Sequence, residues 1–198
     1  MMIMKKMILV TSPPACGKTY IARQLARNLK HVVYLDKDTL IPLSNRVFLA
    51  AGEEINRSSD FFEKNIRDYE YEAIVDIGVE ALEYDDIVLI NAPFTKEVHS
   101  REALQRFRSK LQTKNARLTV IWVVTRPDVC HQRMIQRNSD RDTWKLEHWE
   151  EYIKTVDFSV PAPLEELDAG HDLILFYNSS DEEFDQSMKT VLPLLEET

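Results

Sequence analysis

The sequence predicts a three-layer α/β fold: a five-stranded parallel sheet with helices on both faces and a short lid, in a single domain spanning 1–198. Three observations carry this. Five short runs, at 8–10, 32–35, 87–90, 118–124 and 173–177, are apolar on both alternating faces, as strands covered from both sides must be. Segments of helical period lie between them, giving the strand-helix alternation of a doubly wound sheet. The first run also passes through a tight turn of small residues into Gly17-Lys18-Thr19 and an amphipathic stretch. A chain of 198 residues with 44% apolar content can bury one substantial core, so one domain is expected.

Ile8-Leu9-Val10 is the first strand, and Ile21, Leu25 and Leu29 stripe the helix after it. The second strand ends in Asp36-Lys37-Asp38-Thr39, and 50–60 reads as a loose connection. Phe62, Ile66, Tyr69, Ala73 and Ile77 then recur at helical spacing and predict one helix with those residues inward. The third strand closes on Asn91-Ala92-Pro93-Phe94, and Leu104, Phe107 and Leu111 mark the helix that follows. After the fourth strand, Arg126-Pro127 opens a helix, and Leu146, Trp149, Ile153 and Val156 predict another. A second loose connection, 161–171, leads to the fifth strand. Ser180 and Glu183 form a capping box for the last helix, which carries Phe184, Met188, Val191 and Leu195 on one side, with Pro193 expected to fray or kink its end. In such folds ligands bind at the carboxyl ends of the strands, so the motifs should share one edge.

The first turn carries the strongest chemical signal. A strand turning abruptly into a helix aims unpaired backbone N–H groups and the positive end of the helix dipole at one point, which suits a polyphosphate. Lys18 reaches β and γ phosphates as a point charge, and the Thr19 hydroxyl is the expected ligand for phosphate-bound Mg²⁺. The run Ser12-Pro13-Pro14-Ala15-Cys16-Gly17-Lys18-Thr19 resembles the P-loop (Walker A) pattern G-x-x-x-x-G-K-S/T, with Ser12 and Ala15 standing where glycines are common. A left-handed conformation at either would cost about 1–2 kcal/mol, so they either keep φ negative or store strain. The resemblance implies a P-loop NTPase fold, ATP and Mg²⁺ as cofactors, and nucleotide contacts from Ser12 through Thr19 and from Tyr20.

Asp36 and Asp38 emerge at the same edge as the phosphate loop and are the leading acid/base candidates, since a phosphoryl acceptor must have its hydroxyl oriented and its proton accepted. A cap on the following helix would account for one acid, not both. Together, the loop and Asp36-x-Asp38 resemble the small-molecule and nucleotide kinases of the P-loop class, AAA-family ATP-binding proteins. These include shikimate, gluconate and adenylylsulfate kinases, chloramphenicol phosphotransferase, the kinase domain of polynucleotide kinase, and zeta toxins. The resemblance makes Asp38 the base or acceptor-orienting residue and Asp36, with Thr19, the metal-side residue, leaving open whether the two acids exchange roles. Asn91-Ala92-Pro93-Phe94 looks like the Asp-Ala-Pro-Phe segment of that class. An amide lacks a carboxylate's charge, which puts a metal contact from the third strand in doubt.

Arg126, Arg133, Arg137 and Arg141 recur at seven, four and four residues, so one helix could carry them as a stripe. The polar run from Asn138 to Lys145 interrupts the pattern, a layout matching a lid over 133–145 that brings arginines onto the transferring phosphate. Arg137 and Arg141 are expected at the transition state, Arg137 and Arg133 at the nucleotide; a planar guanidinium binds phosphate bidentately and stacks on adenine. In the resembling kinases the loop of Asn178-Ser179-Ser180 lies against adenine, making Asn178 a base contact. The acceptor is expected over Asp38, Arg46, Arg57, Phe61, Pro93 and Phe94.

Composition excludes several classes. Acids outnumber bases 33 to 25, for a net charge of −8, which argues against general nucleic-acid affinity. No apolar run reaches membrane-span length, so a cytoplasmic protein is expected. Cys16 and Cys130 make neither a disulfide framework nor a metal spacing, though Cys16 sits at a helix N-terminus that favours a thiolate. The five histidines show no metal-like spacing. The function expected is ATP-dependent transfer of the γ-phosphate to a hydroxyl of a small molecule or nucleotide-like acceptor. Its rivals are an NTP-binding switch or hydrolase working with a protein partner, which would turn over briskly without acceptor, and a polynucleotide 5′-kinase, which would bind single strands in a salt-sensitive way.

Overall fold

The computed structural model describes residues 4–139 and 142–196. All five expected strands are present: β1 (Lys5–Thr11), β2 (Val32–Asp36), β3 (Ile87–Asn91), β4 (Ala116–Val124) and β5 (Leu173–Tyr177). They pair in parallel in the order β2-β3-β1-β4-β5. The helices in chain order are α1 (Lys18–Asn28), α2 (Ile41–Ala51), α3 (Asp60–Asn65), α4 (Arg67–Ala81), α5 (Arg101–Gln112), α6 (Pro127–Arg137), α7 (Thr143–Glu147), α8 (Trp149–Thr155), α9 (Ala162–Glu165) and α10 (Asp181–Glu196). No described helix is long and apolar enough to cross a membrane.

Central β1 serves both layers, because successive side chains of a strand point to opposite faces. Met7 and Leu9 pack with Tyr71, Ile74 and Val75 of α4 and with Leu104 and Leu111 of α5. Ile8 and Val10 pack on the other face with Ile21 and Leu25 of α1, Cys130 of α6, and Val191 and Leu195 of α10. The buried ammonium of Lys6 donates to the carbonyls of Leu194 and Leu195 at 3.1 and 2.9 Å, tying the end of α10 to the sheet. β2 and β3 lie on one side of β1, β4 and β5 on the other, so the crevice opens at the carboxyl end of β1.

Three local expectations give way to packing. The helix expected through 62–77 breaks at Ile66 (φ −130°) into α3 and α4. The inner face of α4 is Arg67, Glu70, Tyr71, Ile74, Val75, Gly78 and Val79, with Tyr69 and Ile77 outside. Gly78 sets that rotation: a Cβ there would lie 3.0 Å from Met7 and 3.2 Å from Ile90 and Val88, so only this face presses close onto β1 and β3. The helix expected over 146–156 is two short ones, with Tyr152 as the buried residue of α8. Helix α10 runs through Pro193 to Glu196. Its capping box is shifted by one: Ser180 Oγ accepts from the Glu183 N–H at 3.2 Å, while the Glu183 carboxylate accepts from the Ser179 N–H at 2.6 Å.

Candidate active site

The site grows from the turn after β1. The Thr11 hydroxyl donates to the Pro93 carbonyl, fastening the ends of β1 and β3 together. Gly17, at the N-cap of α1, has φ +88°, and a Cβ there would lie 2.4 Å from the Asn178 amide nitrogen, so only glycine fits. Ala15 takes the left-handed conformation at φ +63°, whereas Ser12 does not and donates its hydroxyl to the Pro13 carbonyl at 2.8 Å. One glycine replacement is therefore unstrained, and the other costs about 1–2 kcal/mol.

Loop amides aimed at a phosphate leave carbonyls aimed the other way, and these need buried donors. The Cys16 carbonyl has three: Thr125 Oγ1 at 3.0 Å, Arg133 Nη1 at 3.3 Å and Asn178 Nδ2 at 2.8 Å. Arg133 also donates to the Asn178 carbonyl at 2.8 Å. The nucleotide contacts expected of Arg133 and Asn178 thus become support of the loop from beneath; the Asn178 side chain is buried there instead of facing a base.

On the opposite side of Lys18, the buried Asn91 makes the junction. Its Oδ1 accepts from Lys18 Nζ at 3.2 Å, and its Nδ2 lies 3.2 Å from Thr19 Oγ1 and 3.0 Å from Asp36 Oδ2. Asp36 and Asn91 are register partners on adjacent strands, so the charge that Asn91 lacks stands one strand away. Asp36 Oδ2 also accepts from the Tyr34 hydroxyl at 3.0 Å and faces Arg23 at 3.8 Å. Asp36 Oδ1 accepts the Asp38 N–H at 3.1 Å, so Asp36 is the cap and leaves the Asp38 carboxylate to the cleft, 61% exposed.

Behind Asp38, Lys37 is buried and bridges two acids, Asp38 at 3.1 Å and Glu70 at 3.2 Å. Glu70 also accepts from the Ser44 hydroxyl and, through both oxygens, from Arg57 at 2.9 and 2.6 Å. Burial pushes the Glu70 carboxyl up, but the Arg57 and Ser44 hydrogen bonds and the Lys37 and Arg57 charges outweigh it and hold it below the usual range. The acceptor wall expected of Arg57, Phe61 and Phe94 is therefore corrected. Arg57 is held by Glu70 and stacked 4.4 Å over Phe62, and Phe61 packs on Phe48. Phe94 is wholly buried against Tyr71 and Phe107. Arg46 is exposed on α2 and does not line the cleft, while Asp38 and Pro93 do.

The cleft, about 550 Å³, is lined by residues 12–20, Arg23, Asp36, Asp38, Asn91, Pro93, Thr95, Arg137 and Lys145. Helix α6 stops at Arg137, where Asn138 turns left-handed, so one helical stripe does not extend to Arg141, which lies outside the described residues. Arg126 stays at the start of α6, paired with Asp128. Arg137 donates to Asp142 Oδ2 through two nitrogens, and Lys145 lies 3.3 Å from Oδ1 of the same fully buried carboxylate. Residue reasoning overlooked Arg23, Lys145, Asp142 and Glu70. Arg23 was findable, since it stands one helical turn past Thr19 on the same face.

The family model described as the AAA domain matches residues 7–158, from β1 through α8. The chain belongs to the AAA domain family. Solved structures match this AAA-domain protein over nearly its full length. A gluconokinase from Sinorhizobium meliloti 1021 is 13% identical, with 99% of this chain and 96% of that chain covered and a TM-score of 0.56. A shikimate kinase from Bacteroides thetaiotaomicron is 14% identical, with 98% and 99% covered and a TM-score of 0.52. An inferred kinase from Chloroflexus aurantiacus j-10-fl is 18% identical, with 96% and 94% covered and a TM-score of 0.62. At these identities the likeness establishes the fold, which is that of the P-loop kinases. No curated protein matches the sequence significantly.

Proposed function

We propose that the protein is an ATP- and Mg²⁺-dependent phosphotransferase that moves the γ-phosphate to a hydroxyl of a small-molecule or nucleotide-like acceptor. The observation that carries this reading is the junction at Asn91, which brings Lys18, Thr19 and Asp36 together in one cleft with Asp38 and two lid cations. A triphosphate needs the first set of groups and an acceptor needs the second.

The donors here, a threonine hydroxyl and an aspartate carboxylate beside an amide, are the hard oxygen ligands that Mg²⁺ shares with phosphate oxygens. Thr19 and Asp36 would hold the ion, which when bound neutralises charge on the β- and γ-phosphate oxygens. Residues 12–20 bind the triphosphate through backbone amides and the Lys18 ammonium. Asp38 orients the acceptor hydroxyl and accepts its proton as bonding to phosphorus develops. Arg137 and Lys145, with Arg141 in the same segment, stabilise charge on the transferring group and exclude water.

The test is incubation with ATP, Mg²⁺ and a panel of hydroxylated metabolites, antibiotics and nucleotides, read by mass gain of one phosphate on the acceptor. Transfer to one chemical class is expected, with slow ADP release when no acceptor is present. Brisk ADP release without acceptor would replace this reading by a hydrolase.

A further inference from the structure

Cys16 and Cys130, 114 positions apart, lie with their sulfurs 3.6 Å from each other in the layer between α1, α6 and the sheet. They are the only cysteines in the sequence. Both are buried, at 1% and 0% exposure, yet Cys16 belongs to the phosphate loop and is one of the residues lining the cleft, which puts the pair directly behind the nucleotide site. One thiol donates to the other, which favours ionisation of a single sulfur of the pair. Neither thiol has a task in phosphoryl transfer.

We propose that Cys16 and Cys130 are a reversible oxidation site whose disulfide disables the phosphate loop. With hydrogen peroxide as oxidant, the ionised sulfur attacks one peroxide oxygen and the O–O bond breaks. This leaves a sulfenic acid and a hydroxide, which takes a proton to become water. The second thiol, losing its proton, attacks the sulfenyl sulfur; the S–O bond breaks, a second water leaves and the S–S bond forms. Two thiols have then lost two electrons and two protons, and one peroxide has become two waters. A thiol reductant reverses the bond by exchange.

Bond formation must draw the sulfurs from 3.6 Å to about 2.05 Å. Cys130 sits inside α6, whose next turn carries Arg133, a donor to the Cys16 carbonyl, while Cys16 lies in the turn itself. The loop is the part able to yield, and its movement shifts the backbone of Cys16 and Gly17, two of the residues that line the cleft. A misplacement of about 1 Å in such groups can cost roughly 10²-fold in rate.

The consequence for activity rests on the nucleotide-site reading, but formation of the bond does not, and the experiment separates them. Folded wild-type protein is treated with hydrogen peroxide and measured for free thiols, for intact mass and for ATP affinity, before and after reductant. The expected result is loss of both thiols with a mass decrease of two hydrogens, ATP binding weakened roughly tenfold or more, and recovery on reduction. Cys130→Ala should keep its ATP affinity under the same treatment. Two thiols surviving in the folded protein would overturn the proposal, as would a disulfide that leaves ATP affinity unchanged. Reduced, untreated protein that binds no ATP would instead refute the nucleotide-site reading.

Discussion

Asn91 is an amide because the carboxylate of this site stands on the neighbouring strand. Asp36 is its register partner, with oxygen 3.0 Å from the amide nitrogen, and an acid at 91 would set two like charges at that distance while losing the donor to Thr19. Asn91→Asp, measured without Mg²⁺, should therefore lower stability at pH 7 by about 1–3 kcal/mol. Like charges this close favour uptake of a proton by the pair, so the defect should shrink as pH falls; Tm measured from neutral to acid pH checks it. Asp38 differs because its carboxylate, held from behind by Lys37 through Oδ1, is exposed to the cleft. Asp38→Asn should leave ATP affinity nearly unchanged and lower transfer by about 10²–10⁴-fold, as loss of a general base does. Wild-type turnover in that variant would remove Asp38 from the chemistry. The loop, Lys18, Thr19 and the two acids could be read from residue type and spacing. Residue type marks Asn91 only by the charge it lacks, because its role depends on Asp36, 55 residues earlier on the neighbouring strand.

At the scale of elements, buried carboxylates fix the two segments flanking the cleft. Glu70 of α4 gathers Lys37, Ser44 and Arg57, joining the turn after β2, helix α2 and the connection before α3. Sequence periodicity assigned Tyr69 rather than Glu70 to the inner face of α4, since a charged residue reads as solvated until its partners, 13 to 33 positions away, are known. Glu70→Gln leaves two cations facing a neutral amide and should cost about 3–5 kcal/mol at pH 7. The Glu70 pKa lies below its unfolded value, so its stabilisation is complete above about pH 4.5 and is lost as pH falls through the folded pKa. Wild type and variant should converge in Tm as pH falls well below 4.5. On the other flank, Asp142 joins Arg137 at the end of α6 to Lys145 of α7. Asp142→Ala should reduce kcat by about tenfold or more through lost positioning, with a much smaller change in the KM for ATP, because binding rests on the loop. A rise in KM alone would assign the two cations to ground-state binding.

At the scale of the molecule, the five strands were legible because a parallel sheet covered on both sides leaves unbroken apolar runs, whereas their order, β2-β3-β1-β4-β5, is set by pairings between distant segments. The helices were legible as elements, but not in rotation, because contacts such as Gly78 on Met7 and Ile90 decide which face goes inward. The same architecture couples ligand to stability. Alternate residues of β1 belong to opposite layers, so loosening either layer loosens the strand that delivers the phosphate loop. The protein carries a net charge of −8, yet its cleft sets Lys18, Arg23, Arg137 and Lys145 against Asp36 and Asp38, with Asp142 buried behind the last two cations, so among the described residues positive charge prevails there and attraction for a triphosphate is local and short-ranged. A ligand that binds only the folded state at 100 times its Kd adds about 2.7 kcal/mol, which for a domain of this size corresponds to a Tm increase of roughly 5–11 °C. ATP with Mg²⁺ should produce such a shift in wild type, and the shift should fall as ionic strength rises. Lys18→Ala, which removes the point charge while leaving both packed layers intact, should lower the Tm of the unliganded protein modestly, through lost contacts such as the hydrogen bond to Asn91, and should abolish the increase. An undiminished increase in that variant would place ATP elsewhere on the molecule.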